Sequence, residues 1–366
     1  MPTLARLLRL KPPMAWSHWA RISGVALTAC SNTLLGWAER ALYGRKSRQT
    51  NVPAPIFIVG HWRSGTTLLH NLLSLDDNFA APNLYQTVFP GHFLLTERVL
   101  GPLTAWMLPK QRTFDAIPVG TWDIPQEDEI AICLLSLLSP YLMLAFPENL
   151  ETYAPYLDLR SVSEADRNRW KEVFFHFLQR VMVRYPGKRL VLKSPTHSYR
   201  IPLLLELFPD AKFVHIVRNP YDVLSSSLHL RRVAFPDNAF YTPSFEKIED
   251  HVVQLYQSCF ERLEQDLPRL GPGQLCELRM EDLEADIPGE LRRVYDTLQL
   301  EGYEQLEARV RPQLAALRNH RKNKLSLPAA LRERLESLQP SVFDRYGYAR
   351  LSDTDPVAAT ASAAVA

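Results

Sequence analysis

The feature that most constrains this chain is a short β-type run, Pro55-Ile56-Phe57-Ile58-Val59. It feeds the loop Gly60-His61-Trp62-Arg63-Ser64-Gly65-Thr66-Thr67, and leucines follow at helical spacing, Leu68, Leu69, Leu72 and Leu73. Strand, glycine loop and helix in this order turn backbone N–H groups and a helix N-terminus toward one point, which makes a cradle for an anion such as a phosphate. A loop of this kind belongs at the edge of a parallel sheet covered by helices. The rest of the chain agrees. Strand-like runs at 189–192, 212–217 and 274–278 alternate with helical patterns at 127–139, 164–185, 199–207, 222–231, 245–267 and 288–298. The expected fold is therefore a three-layer α/β fold, a central parallel sheet flanked by helices with a P-loop-like phosphate-binding loop.

What the loop lacks is as telling. A nucleoside triphosphatase carries lysine after the second glycine, where this chain has Thr66, so the fixed cation of the loop is Arg63. A triphosphatase also places a carboxylate at a neighbouring strand end to hold Mg²⁺. Here the run 212–217 ends in Arg218 and the run 189–192 ends in Lys193. Cations at both strand ends suit a polyanionic ligand held without a metal. The anion must be met by such local groups, because 42 Lys and Arg against 40 Asp and Glu leave a net charge of +2, too little for a general basic field toward nucleic acid.

Two segments turn this cradle into a resemblance. Arg63-Ser64-Gly65-Thr66-Thr67-Leu68 and Val217-Arg218-Asn219-Pro220-Tyr221-Asp222-Val223-Leu224-Ser225-Ser226 resemble the two donor-binding motifs of the sulfotransferases, which use 3′-phosphoadenosine 5′-phosphosulfate. Leu278-Arg279-Met280-Glu281-Asp282-Leu283 is similar to a third family segment near the adenine, with Met280 in place of an aromatic residue. Pro125-Gln126-Glu127-Asp128-Glu129 and Leu192-Lys193-Ser194-Pro195-Thr196-His197 resemble the broad, largely bacterial branch of that superfamily. The resemblance spans roughly residues 55–324.

It implies a site. Ser64, Gly65, Thr66 and Thr67 take the 5′-phosphosulfate, Arg218 and Ser226 take the 3′-phosphate, and Arg321, within the basic run 320–324, closes over it. Arg63 stays protonated, so its implied role is to neutralise charge on the bridging oxygen and the departing phosphate. Lys193 is placed for the sulfuryl group or leaving phosphate. For the base that takes the acceptor's proton, His197 is of the residue type whose ordinary pKa lies nearest neutrality, while Glu127 and Glu129 belong to a carboxylate cluster at an expected helix start, and the sequence leaves the choice open. His61, Trp62 and His70 read as loop-shaping and packing residues.

The expected reaction is transfer of a sulfuryl group to a hydroxyl of a small, lipophilic acceptor, with no metal required. A P-loop small-molecule kinase or NTPase is the alternative. The lipophilic leaning rests on the apolar stretches 79–106 and 130–146, and on a helical pattern at 22–43 where Arg6, Arg9, Lys11, Arg21, Arg40, Arg45, Lys46 and Arg48 flank Trp16, Trp19 and Trp37. That helix is either a packed element or an in-plane contact with a membrane surface. A cytoplasmic location follows, with rest on the inner membrane face as the variant, and oligomeric state is not legible. Residues 1–50 read as an N-terminal helical extension, 51–350 as the catalytic domain and 351–366, rich in alanine, as a disordered tail. Four cysteines without a CxxC pair indicate neither zinc nor a disulfide framework.

Overall fold

In a computed structural model, which describes Leu7 and residues 18–111, 120–148, 150–315 and 326–350, five strands pair in parallel in the order β2-β3-β1-β4-β5. They are β1 (Ile56–Val59), β2 (Phe79–Ala80), β3 (Arg189–Lys193), β4 (Lys212–Val217) and β5 (Leu275–Arg279). The principal helices are α1 (Trp19–Gln49), α2 (Thr66–Leu73), α3 (Asp128–Ser136), α4 (Glu164–Arg184), α5 (Pro220–Asn238), α6 (Ile248–Asp266) and α7 (Ile287–Leu298).

The sheet is apolar on both faces, which is why its strands read as continuous hydrophobic runs and not as alternations. Phe57 and Val59 of β1 point into one core with Trp170, Phe174 and Phe177 of α4 and Tyr256 and Phe260 of α6. Ile56 and Ile58 point the other way, against Leu69 and Leu72 of α2 and Leu291 and Val294 of α7. β3 and β4 divide likewise, with Leu192 and Phe213 in the first core and Val191 and Val214 in the second. Each of these side chains is worth about 1.5–3 kcal/mol when buried, so the two cores hold the central strand in the middle layer and fix where its C-terminal loop emerges. The three-layer parallel architecture expected from the sequence is the one observed.

Several helices differ from their expected bounds, α5 running on to Asn238 where 231 was expected and α3 ending at Ser136 where 139 was expected; two further differences have local reasons. α1 extends over Trp19–Gln49 because its polar interruptions are satisfied inside the helix, Thr28 and Thr33 donating to the carbonyls of Gly24 and Ala29. The helix expected at 199–207 is split into a 3₁₀ turn, Pro195–Tyr199, and a helix, Ile201–Leu207, each with proline in its first turn. α1 lies against α4 and the helix Phe93–Thr104. Arg180 of α4 meets Glu39 of α1 in a buried ion pair, and Glu39 Oε2 accepts from Leu95 N at 3.1 Å. Among the described residues no helix is long and apolar enough to cross a membrane.

Candidate active site

Strand register decides what surrounds the loop. Ile58 of β1 pairs with Lys193 at the end of β3, and Val59 pairs with His215, two residues before β4 ends at Val217. Residues 60–67 therefore emerge between Lys193 and Arg218, at the carboxyl edge where parallel sheets bind ligands.

The loop's shape depends on its glycines. Gly60 has φ +151°, and a Cβ there would lie 2.5 Å from the Ile216 carbonyl oxygen; Gly65 has φ +101°, and a Cβ would lie 2.2 Å from Met280 Sδ. Neither position admits a side chain, so the backbone is left bare toward the N-terminus of α2, as an anion cradle requires. Ser64 closes the turn inward, its Oγ donating to the His61 carbonyl oxygen at 2.8 Å. Arg63 sits at φ +71°. A non-glycine residue held there costs energy that functional sites commonly bear. His61 is buried, and desolvation takes its pKa down to about 3, the hydrogen bond of Nδ1 to the Trp62 carbonyl oxygen resisting and the charge of Arg231 assisting. It is a neutral packing residue, as is His70, also lowered to about 3 by burial and then by the charge of Lys193.

On one side of the loop the β4–α5 turn supplies the second motif. Asn219 caps α5 by accepting from Tyr221 N at 3.0 Å, Pro220 occupies its first turn, and Asn219 N donates to Glu281 Oε1 at 2.9 Å. Glu281 is itself held by Tyr348 OH at 2.9 Å. These contacts hold Arg218 and Ser226 against the loop: Arg63 Nε donates to Ser226 Oγ at 2.9 Å, and Arg218 Nη1 donates to the Arg63 carbonyl oxygen at 3.4 Å. Arg218 also meets Asp222 at 3.0 Å. The segment containing Met280 buttresses the cradle, since Met280 packs on Gly65. Thr66 and Thr67 open α2 beside them. Arg321 lies outside the described residues.

On the other side, the start of α3 meets the end of β3, and the three adjacent acids take three different partners. Glu127, the residue capping α3, places Oε1 2.5 Å from Lys193 Nζ and accepts from Tyr141 OH through Oε2. Burial first and the Glu127 charge second keep the Tyr141 phenol protonated well above its ordinary pKa, so it is a permanent donor. Tyr141 is also linked to the Trp62 side chain.

Asp128 binds Ser194 Oγ at 3.1 Å and His197 Nε2 at 2.9 Å. Burial alone would raise its pKa, and the charge and hydrogen bond of His197 outweigh it and bring it below the usual carboxylate range. Glu129 forms a bidentate pair with Arg200, at 2.6 and 3.1 Å, and accepts from Thr196 Oγ1 at 2.9 Å.

The three expected bases differ in how far they are enclosed. His197 is completely enclosed, its ring edge-on to Phe57 at 5.1 Å and to Phe174 at 5.9 Å. Glu129 is equally enclosed and committed to Arg200, whose guanidinium stacks 4.8 Å from the Trp170 ring. Both brace the β3–α3 junction. Glu127 keeps 19% of its side-chain surface exposed. Tyr141 was not singled out in the sequence. Its partner lies 14 residues earlier, across the left-handed turn at Leu137 that ends α3, and no local spacing signals such a contact.

A glycine cradle flanked by two arginines, a buried lysine and a partly exposed carboxylate, on a parallel α/β sheet, defines the class of P-loop-like enzymes that act on phosphorylated or sulfated nucleotides without the triphosphatase lysine. The family model of the sulfotransferase family matches residues 55–305. The chain is 38% identical over 345 residues to omega-hydroxy-beta-dihydromenaquinone-9 sulfotransferase Stf3 of Mycobacterium bovis, covering 94% of this chain and 88% of that protein, and the protein of the same name from Mycobacterium tuberculosis matches equally. Among solved structures, sulfotransferase STF9 from Mycobacterium avium superposes with a TM-score of 0.70 at 20% identity, covering 91% of this chain and 87% of that one. STF1 from Mycobacterium tuberculosis gives 0.63 at 19% identity, covering 83% and 82%; both show the shared fold. The chain belongs to the sulfotransferase family. It is an enzyme that transfers a sulfuryl group from 3′-phosphoadenosine 5′-phosphosulfate to a hydroxyl, and the kinase and NTPase alternative falls.

Proposed function

We propose that the acceptor is a lipophilic alcohol of the isoprenoid or hydroxylated-quinone type and that Glu127 is the base which removes its proton. The observation that carries the assignment is the position of Glu127, the one partly exposed member of three adjacent acids, oriented by Lys193 and Tyr141 at the sheet edge beside the donor loop. The backbone of Ser64, Gly65, Thr66 and Thr67 fits the 5′-phosphosulfate, and Arg218 with Ser226 fits the 3′-phosphate. Arg321 keeps its proposed place over that phosphate on the sequence resemblance. As the acceptor oxygen approaches sulfur, Glu127 accepts its proton, Lys193 offsets negative charge on the sulfuryl oxygens, and Arg63 offsets charge on the departing phosphate. Because the neighbouring strand ends carry Lys193 and Arg218 where a Mg²⁺ site needs carboxylates, no metal is required.

The lipophilic acceptor is supported by the 38% identical relative, whose name specifies a menaquinone derivative. Transfer of ³⁵S from labelled donor to alcohols of graded chain length tests it. Turnover is expected to rise with isoprenoid length and to persist in EDTA. Equal rates on short polar alcohols, or loss of turnover in EDTA, would contradict it.

A membrane-bound acceptor also gives a reason for the outer surface. α1 exposes Trp19, Leu27, Leu34, Trp37 and Leu42, and the adjoining segment exposes Val99, Leu103, Trp106 and Met107. Arg40, Arg45, Lys46, Arg48, Arg98 and Lys110 are exposed on the same two stretches. Aromatic and aliphatic side chains beside cations suit the headgroup region of an anionic bilayer. The enzyme would then work from the inner membrane face, with residues 1–50 as its contact helix and 51–350 as the catalytic domain. The double variant Trp37→Glu/Trp106→Glu is expected to lower co-sedimentation with phosphatidylglycerol vesicles at least fivefold without changing donor binding, and unchanged sedimentation would remove the membrane role.

A further inference from the structure

The turn that carries Arg218 is gripped on both sides of Pro220 by the end of the chain, the helices Ala329–Leu338 and Pro340–Tyr346 and the residues that follow them. On one side Tyr221 OH donates to Glu336 Oε1, 115 positions away in the sequence, and the Tyr221 ring lies 5.3 Å from that of Phe343. On the other side Asn219 N donates to Glu281 Oε1 and Tyr348 OH donates to Glu281 Oε2, each at 2.9 Å. Glu281 is therefore a bracket, with one oxygen on the backbone of the turn and the other on the C-terminal segment.

Local chemistry sets the reach of Tyr348. Gly347, at φ +68°, ends the helix Pro340–Tyr346, and the chain turns back so that Tyr348 N donates to the Phe343 carbonyl oxygen at 2.9 Å. Val342 and Phe343 anchor that helix in the first core. The Tyr348 ring is buried, with the Arg279 guanidinium 4.8 Å over its face, so packing fixes the direction of its hydroxyl. Hydrogen bonds to a carboxylate are among the stronger ones. Without the phenol, Glu281 Oε2 turns to solvent and the hold on Asn219 N slackens.

We propose that Tyr348 is a positioning residue for the donor. Through Glu281 it fixes Asn219, and with it the adjoining Arg218, where the guanidinium meets the 3′-phosphate, so the C-terminal segment sets how strongly the enzyme prefers nucleotides that carry that group. The proposal rests on the assignment of Arg218 and Ser226 to the 3′-phosphate. A binding group held in place before the ligand arrives reads out as affinity. Tyr346 supplies the comparison, because its hydroxyl donates to Glu277 Oε1 at 2.7 Å, and Glu277 pairs with His215 inside the sheet and not with the turn.

Equilibrium binding of adenosine 3′,5′-bisphosphate and adenosine 5′-monophosphate to the full chain tests this. Tyr348→Phe keeps the ring and deletes the hydroxyl; it is expected to raise Kd for the bisphosphate about five- to tenfold, the scale of one hydrogen bond, and to leave Kd for the monophosphate and kcat at saturating donor within about twofold. Tyr346→Phe, a deletion of the same kind in the same segment, should leave both Kd values within about twofold. Weakening of both nucleotides alike by Tyr348→Phe, or of neither, overturns the positioning role. Arg218→Ala, measured beside it, keeps the two readings apart: if that variant binds the bisphosphate as wild type does, the 3′-phosphate assignment itself fails. Should Tyr348→Phe not fold, amide hydrogen exchange of the wild-type chain decides. Binding coupled to the segment is reciprocal, so the bisphosphate should slow exchange across 341–348 and the monophosphate should not, and equal protection by both overturns the proposal.

Discussion

Glu127→Gln is expected to lower kcat by about three orders of magnitude while leaving the donor's KM within a factor of about three. The amide keeps the size of the side chain and can still accept from Tyr141, so the strand-end geometry around Lys193 survives. It cannot take a proton from the acceptor. The loss therefore falls on the chemical step.

His197→Gln separates this assignment from its rival. That substitution takes away the His197 partner of Asp128, a carboxylate with no exposed surface that keeps only Ser194 Oγ. Breaking a buried pair of this kind costs about 3–5 kcal/mol, so a large fall in Tm is expected. In the fraction that remains folded, kcat should stay within about tenfold of wild type. The reverse pattern, with Glu127→Gln active and a well-folded His197→Gln inactive, would move the base to the histidine.

These two residues also show where a sequence stops being readable. Both were visible as titratable groups close to strand-end motifs, and their types fit a base equally well. What separates them is which partner each finds across the fold. Asp128 and His197 stand 69 positions apart, and Glu129 and Arg200 stand 71 apart. The acid cluster looked like more charge than a helix start needs, and the excess is consumed by those two tertiary pairs.

The strands were legible because Ile56–Val59 and Lys212–Val217 are buried on both faces and write uninterrupted apolar runs. β2 has two residues, too few to carry a pattern. The helix Phe93–Thr104 was missed because Pro102 lies within it and apolar residues surround much of its circumference. The glycine turns at Gly60 and Gly65 were legible, and so were Arg218 and Ser226 as residues beside the loop, since loop glycines and a strand-end arginine are local signals. The mutual contact of Arg63 and Ser226 is not local, and it bears on how the loop works.

Arg63→Ala is expected to reduce kcat by about 10²- to 10³-fold, the scale on which removing one preorganised charge-stabilising donor acts. Arg63 is held at positive φ, bonded through Nε to Ser226, with its carbonyl oxygen accepting from Arg218. The side chain is thereby aimed along the loop before any donor arrives, and the guanidinium needs little reorganisation as charge develops on the leaving phosphate. Arg63→Lys should recover only part of the rate, about tenfold over alanine, because an ammonium keeps the charge but has no Nε to fix its direction through Ser226. Ser226→Ala is expected to act differently, raising the donor's KM about tenfold with a smaller effect on kcat, since it removes the proposed 3′-phosphate contact as well as the anchor for Arg63. Single-turnover transfer of ³⁵S at saturating donor reads the first two variants, and displacement by adenosine 3′,5′-bisphosphate reads the third. If Arg63→Ala transfers within threefold of wild type in the single turnover, charge neutralisation must come from Lys193 instead, and the loop would be a binding element alone.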